Sequence, residues 1–393
     1  MNTNALKIID ILESSRVKVF NLDKDVFFEK QEYCPACDSK LEPFCALINE
    51  SQNQKMEFGL CQNCGYMGYI DRPAKEWMVK FYSEKWDRSF PRVEEDIKKG
   101  TILPGKGVKP SRYLAASLIE KIDINKERGA CDIGSGYGEV LKYFKEQGFE
   151  KLVGVENSKH RAELVSRILG LKTLHGEFEN DKIQEELSKL KPIGLFFSHH
   201  VIEHVYNPAE VIEKVSLLQE IGDHLILSLP NSAGEHINYA LLYLVHLHSF
   251  TKESFELLLN RYGYEIILDN SPDDTNIIVV AQKVSNPKQQ FNLADGYLNT
   301  VLNRIQAGML PKLINGLKEL YWEQNQERDF AELLPVSKLT PKLTWKFKKA
   351  VAFVKTRLGR FSSGYTMFVK EAKNSGQYPF EIYFDKNIKL LIK

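Results

Sequence analysis

The chain has 393 residues, of which 43% are apolar and 27% charged, and its formal net charge is +1. That length fits about two or three domains with real cores, and the near-neutral balance gives no global argument for a nucleic-acid or membrane partner. No apolar run approaches the ~20 residues that span a bilayer, and Lys7, Asp10 and Glu13 interrupt any early signal-like stretch, so the expectation is a cytoplasmic protein. The charge is unevenly placed. Residues 286–393 hold 18 Lys/Arg against 9 Asp/Glu, an excess of nine positive charges.

In chain order, residues 1–30 are uninformative. Cys34-Pro35-Ala36-Cys37 and Cys61-Gln62-Asn63-Cys64 then form two CxxC knuckles separated by 23 residues. Four thiolates in two close pairs suit tetrahedral zinc, in a closed site that folds a module and does no chemistry. The plainer alternative is four unrelated thiols. Cys45 and Cys131 are left over and read as small buried residues. This gives an N-terminal zinc-binding module over 1–87. A stretch rich in Pro, Gly and charge, 88–109, reads as a linker or flap, and 110–124 as a helical lead-in.

The most informative stretch is Asp132-Ile133-Gly134-Ser135-Gly136-Tyr137-Gly138. An apolar run enters it, a helix-period segment over 139–148 leaves it, and the next apolar run ends in Glu156. Strand, Gly-rich turn, helix, strand and carboxylate open a Rossmann-type half. The glycines run G-x-G-x-G, not the dinucleotide G-x-G-x-x-G. Glu139 beside the helix start suits a pyrophosphate badly, so a cofactor without phosphates fits better. Further strands are expected at 130–133, 152–155, 172–174, 193–197 and 224–229, with helices between them, and two more at 264–268 and 276–282 around a 271–274 turn. Thr251 is a candidate N-cap for a helix with Phe255, Leu258, Leu259 and Tyr262 on one face.

These residues resemble motif I of the class I S-adenosylmethionine (SAM) methyltransferases. The resemblance implies an α/β, doubly wound seven-stranded sheet over 110–285, closed by a hairpin. It also implies a SAM site made of Asp132, Gly134, Ser135, Gly136, Tyr137 and Gly138. Glu156 would hold the ribose, Glu177 and Phe178 would meet the adenine, and Ser198 would sit at the end of the fourth strand. Over residues 30–285 the two knuckles, the aromatic run Tyr66-Met67-Gly68-Tyr69 and Phe81-Tyr82-Ser83-Glu84 also resemble the bacterial sugar C-methyltransferases. That family places a catalytic-site tyrosine at Tyr82 and a Glu-His pair at Glu203-His204. It has a tyrosine where this chain has Val201, so O- and C-transfer both stay open. The implied acceptor is a sugar or nucleotide-linked sugar, and the implied setting is carbohydrate biosynthesis.

Methyl transfer from a sulfonium needs an aimed nucleophile and, where that nucleophile is protonated, a base. His200, Glu203 and His204 are the candidates, with Tyr82. At i, i+3, i+4 they would share a helix face. They serve acid/base work or orientation, hold a divalent ion with His246 or His248 closing the set, or only cap the loop. Residues 247–251 either close over substrate or lead into the Thr251 cap. The C-terminal extension, 286–393, has an expected helix over 298–321, a basic amphipathic segment over 341–361 and strand-like runs at 365–370 and 380–384. Lys338 to Arg360 could touch an anionic surface or phosphates. Two other functions remain: an RNA methyltransferase, and a non-catalytic SAM-binding scaffold. No Asn/Asp-Pro-Pro-Tyr run follows the fourth strand, which argues against base methylation.

Overall fold

The computed structural model describes residues 28–49, 54–85, 110–232, 245–271, 276–286, 368–371, 380–383 and 388–392. The linker at 88–109 and the helices expected at 298–321 and 341–361 lie outside them, as does the basic tail and the side chain of Cys45.

The N-terminal module is built on five strands: β1 (Phe28–Lys30), β2 (Leu41–Asn49), β3 (Gln54–Cys61), β4 (Met67–Tyr69) and β5 (Asp71–Pro73). Each knuckle is a tight turn tied by its own backbone. Asp38 N–H donates to the Cys34 carbonyl (2.9 Å) and Gly65 N–H to the Cys61 carbonyl (3.0 Å). Between the knuckles β2 and β3 pair antiparallel with a bulge near Pro43, a hairpin that reading the cysteines alone did not reveal. Helix α1 (Lys75–Lys80) runs on into a helical turn, Phe81–Lys85. Trp77 and Phe81 stack there, with ring centroids 5.0 Å apart.

The next strands are β6 (Ala130–Ile133), β7 (Leu152–Glu156), β8 (Lys172–His175), β9 (Leu195–His199), β10 (His224–Pro230), β11 (His248–Ser249), β12 (Tyr264–Asp269) and β13 (Asn276–Lys283). Seven of them form one sheet in the order β12-β13-β10-β9-β6-β7-β8. β6 to β10 are parallel, and β13 is antiparallel to both β10 and β12. This is the doubly wound, Rossmann-like seven-stranded sheet closed by a hairpin that the sequence leads one to expect. The helices between are α2 (Pro110–Ala116), α3 (Glu139–Glu146), α4 (Lys159–Leu169), α5 (Asp181–Ser188), α6 (Pro208–Leu218) and α7 (Lys252–Arg261).

Strand alternation sorts the core into two layers. Cys131, Ile133, Val153, Val155, Phe196 and Leu225 join one cluster with residues of α5, α6 and α7. Ala130, Leu195, Phe197 and Ile226 join another with residues of α2 and α3. The fourth strand begins two residues later than expected. Ile193 and Gly194 are spent in backbone bonds to Leu218 and Arg128, and the strand gains Ser198 and His199 at its far end. The strand order reverses between β6 and β9, and the crevice beyond their carboxyl ends is where such sheets bind ligands.

The remaining strands, β14 (Phe368–Glu371), β15 (Phe380–Tyr383) and β16 (Ile388–Ile392), complete the N-terminal sheet. Its order is β11-β4-β3-β2-β16-β15-β14. The last strand was not anticipated from sequence.

Candidate active site

The glycine turn joins β6 to α3. Gly134 and Gly136 have φ of +73° and +58°, which side chains with a Cβ adopt only at a cost. At Gly134 a Cβ would also fall 2.3 Å from Val201 Cγ2. The turn is pinned to β7, because the N–H groups of Gly134 and Ser135 both donate to the Val155 carbonyl. Glu156 accepts from Gly136 N–H on one oxygen and from Ser158 N–H on the other, both at 2.8 Å. Its carboxylate is thereby fixed at the floor of the turn, and each oxygen keeps lone-pair capacity for a ligand hydroxyl.

A cavity of about 310 Å³ opens over this turn. Of the cofactor candidates, Gly134, Gly136, Glu156, Glu177 and Phe178 line it. The others support the turn from behind. Asp132, Ser135 and Ser198 are fully buried, Arg161 lies 4.8 Å over the Tyr137 ring, and Gly138 packs toward Val165 of α4.

Sequence reading missed Arg112. From α2 it reaches the back of the turn, where Nη2 donates to Asp132 Oδ2 (3.1 Å) and to the Gly134 carbonyl (3.0 Å). It also lines the cavity. Burial pushes the Asp132 carboxyl up to about 7, against the pull of Arg112. No local signal marks an arginine in a lead-in helix; only the packing of α2 on the sheet gives it a partner 20 residues away.

The opposite wall is the turn after β9. His200, Glu203 and His204 do come together, but not on a helix face. His200 has φ +54°, and residues 201–205 form a turn in which His204 and Val205 N–H both donate to the Val201 carbonyl. A left-handed residue at the strand end breaks the helical path and swings both imidazoles toward one carboxylate. His200 Nδ1 lies 3.3 Å and His204 Nε2 3.9 Å from Glu203 Oε1. Burial would raise the Glu203 carboxyl, but its two histidines win and hold it below the usual range. Burial likewise opposes charge on His200, and Glu203 overrides it, so His200 is raised. His204 Nδ1 is 2.8 Å from both the Tyr82 hydroxyl and the Val245 carbonyl. A carbonyl only accepts, so Nδ1 carries the ring proton and Nε2 faces Glu203. Tyr82, His200 and His204 all line the cavity.

Of the two histidines considered for closing this set, His246 is the one placed with it. One ligand atom each from Glu203, His204 and His246 lie within 4.8 Å of one another. His248 is elsewhere, in β11, whose pairing with β4 makes residues 247–251 a buried strand and cap instead of a cover for substrate. Leu247 and Phe250 are fully buried. Thr251 is the N-cap of α7, in a capping box with Ser254.

The four knuckle sulfurs gather into one cluster. Sγ–Sγ distances are 3.5 Å for Cys34–Cys64, 3.4 Å for Cys37–Cys61 and 3.7 Å for Cys37–Cys64. Zinc–sulfur bonds of about 2.3 Å in a tetrahedron put the sulfurs about 3.7 Å apart, so these residues fit a zinc ion. Burial pushes the Cys34 thiol up, a penalty that a bound dication reverses. Cys131 is buried in the sheet.

Residues 110–268 match the family model described as a methyltransferase domain. That segment is a methyltransferase domain. Among solved structures, it is similar to the CcbJ methyltransferase from Streptomyces caelestis, at 12% identity over 46% of this chain and 92% of that one, TM-score 0.38. It is also similar to a SAM-dependent methyltransferase from Mesorhizobium loti, at 17% identity over 42% and 97%, TM-score 0.34. A third is a SAM-dependent methyltransferase from Archaeoglobus fulgidus, at 16% identity over 49% and 100%, TM-score 0.35. No curated protein matches the chain. Among the described residues no helix is long and apolar enough to cross a membrane.

Proposed function

We propose that the protein moves the SAM methyl group to an oxygen or carbon of a small acceptor, a sugar or nucleotide-linked sugar. The observation that carries this reading is one cavity with the glycine turn and Glu156 on one wall and Tyr82, His200 and His204 on the other. SAM, when bound, supplies an electrophilic methyl on a sulfonium. Glu156 would bind the ribose hydroxyls and Glu177 with Phe178 the adenine. Arg112, at the back of the turn, would pair with the methionine carboxylate.

The acid/base work falls to the Glu203 pair of histidines. His204 presents Nε2 as acceptor because its Nδ1 proton is held by Val245 and Tyr82. Glu203, buried and ionised, stabilises the imidazolium formed when a proton arrives. Val201 stands where the sugar C-methyltransferases have a tyrosine, which leaves both O- and C-transfer open. The cysteine cluster holds a structural zinc in this reading, and closed sulfur ligation keeps it out of the chemistry.

The test is turnover of keto-sugar nucleotides and free sugars with wild type, His204→Ala and Glu203→Gln. The expected result is a kcat loss of about 100-fold or more with SAM affinity unchanged. Equal kcat in all three would remove the assignment. Calorimetry with SAM and metal analysis of the purified chain check the cofactor and the zinc.

A further inference from the structure

A ring of buried and half-buried hydrogen bonds joins the cysteine knuckle to the turn that carries His204. Tyr66 follows Cys64 by two residues and is fully buried. Its backbone carbonyl accepts from Cys61 N–H at 2.8 Å, so the knuckle sets its position. Its hydroxyl is 2.6 Å from His248 Nδ1, and His248 Nε2 is 3.0 Å from the Val205 carbonyl. Because that carbonyl can only accept, Nε2 carries the proton and Nδ1 accepts from Tyr66. Burial holds His248 neutral, pushed down to about 3.

The ring closes on the far side. Gln31 Nε2 donates to the Tyr66 oxygen at 3.1 Å. Arg72 Nη1 donates at 2.7 Å to Gln31 Oε1 and at 2.7 Å to the Tyr206 carbonyl, and its guanidinium sits 3.6 Å over the Tyr206 ring. Two consecutive carbonyls, Val205 and Tyr206, are therefore gripped immediately after His204. His248 N–H also donates to the Glu203 carbonyl at 3.1 Å, immediately before it. Gly68 is what admits the contact, since a Cβ there would lie 2.3 Å from the Tyr66 hydroxyl.

We propose that Tyr66, His248 and Arg72 are positioning residues for His204, and that through them the state of the four-cysteine knuckle sets the orientation of that imidazole. Every backbone group flanking His204 that the ring holds belongs to the catalytic turn, and every residue doing the holding belongs to the N-terminal module or to β11, which pairs with its β4. Errors of about 1 Å at a base cost on the order of 100-fold in rate, so a turn this short needs an outside support. The functional consequence rests on His204 handling the proton. Turnover of His204→Ala tests that reading; the coupling itself is read from the imidazole.

The experiment follows the ring nitrogens of His204 against pH by NMR in the full chain, with histidine labelled in ¹⁵N and the resonance assigned by its loss in His204→Gln. Wild type should show the single Nδ1–H tautomer. In Tyr66→Phe and His248→Gln the His204 midpoint should move by about 0.5 pH unit or more, or the tautomer become mixed, with the SAM Kd within about twofold of wild type. Tyr33→Phe, an exposed tyrosine of the same module, should change nothing. Chelating the knuckle metal from wild type should move the same resonance. A folded Tyr66→Phe protein with the wild-type midpoint and tautomer overturns the proposal, as does a metal-stripped protein with an unmoved resonance. Should Tyr66→Phe not fold, Arg72→Lys, which keeps the charge and loses the fork, is read by the same two criteria.

Discussion

Arg112 and Asp132 show how much of the glycine turn depends on one buried pair. Asp132 is fully buried and Arg112 only 14% exposed. Replacing Arg112 with Met leaves a carboxylate with no cation. The expected loss is about 3 kcal/mol or more at pH 8.5. It is smaller at pH 6, where Asp132, already pushed up to about 7, takes a proton. Adding Asp132→Asn should recover most of it; denaturant unfolding at both pH values measures this. The penalty runs the other way with pH at His200, because there the variant removes the titrating group itself and not its partner. Its folded pKa is raised above the ordinary 6.5, so the folded protein holds the proton more tightly than the unfolded chain. Its stabilisation is fully present below 6.5 and is lost as pH rises through the folded value. The Tm advantage of wild type over His200→Gln should therefore be largest near about pH 5.5 and shrink toward about pH 8.5. A difference that grows with pH would remove the His200–Glu203 ion pair.

At the scale of elements, the glycine turn and the α7 cap are the local devices on which the sheet's functional edge stands. Gly134→Ala meets two penalties, a left-handed φ costing about 1–2 kcal/mol and a methyl 2.3 Å from Val201 Cγ2. SAM affinity should fall at least about tenfold. Adding Val201→Ala should return the steric part in thermal unfolding and leave the conformational part. Thr251→Ala removes the half of the box in which Ser254 N–H donates to Thr251 Oγ1, leaves the bond from its own backbone N–H to Ser254 Oγ, and should cost about 1 kcal/mol. Hydrogen exchange should locate the loss in the first turn of α7.

At the scale of the molecule, the C-terminal strands cover the edge of β2 through the β16 pairing. Ending the chain at residue 367 would expose a nine-residue edge strand, Leu41–Asn49. Exposed edges recruit other chains, so the truncated protein should lose amide protection across β2 and gain concentration-dependent association in light scattering, while β6 to β10 stay protected. The sequence alone determined what depends on neighbours in the chain. The glycine turn needs positive φ at set spacing, Glu156 ends the next apolar run, the knuckles pair thiols within four residues, and Thr251 caps a helix three residues on. Each is a local steric or hydrogen-bonding requirement, so each is legible in a window of residues. Tertiary structure decided the rest, because it depends on which distant segments meet. Arg112 reaches Asp132 only once α2 packs on the sheet. His246 and not His248 joins Glu203 and His204, because β11 is claimed by β4. The last strand reads as a short apolar run until β2 offers it an edge, since long-range pairing leaves no periodic trace in either partner.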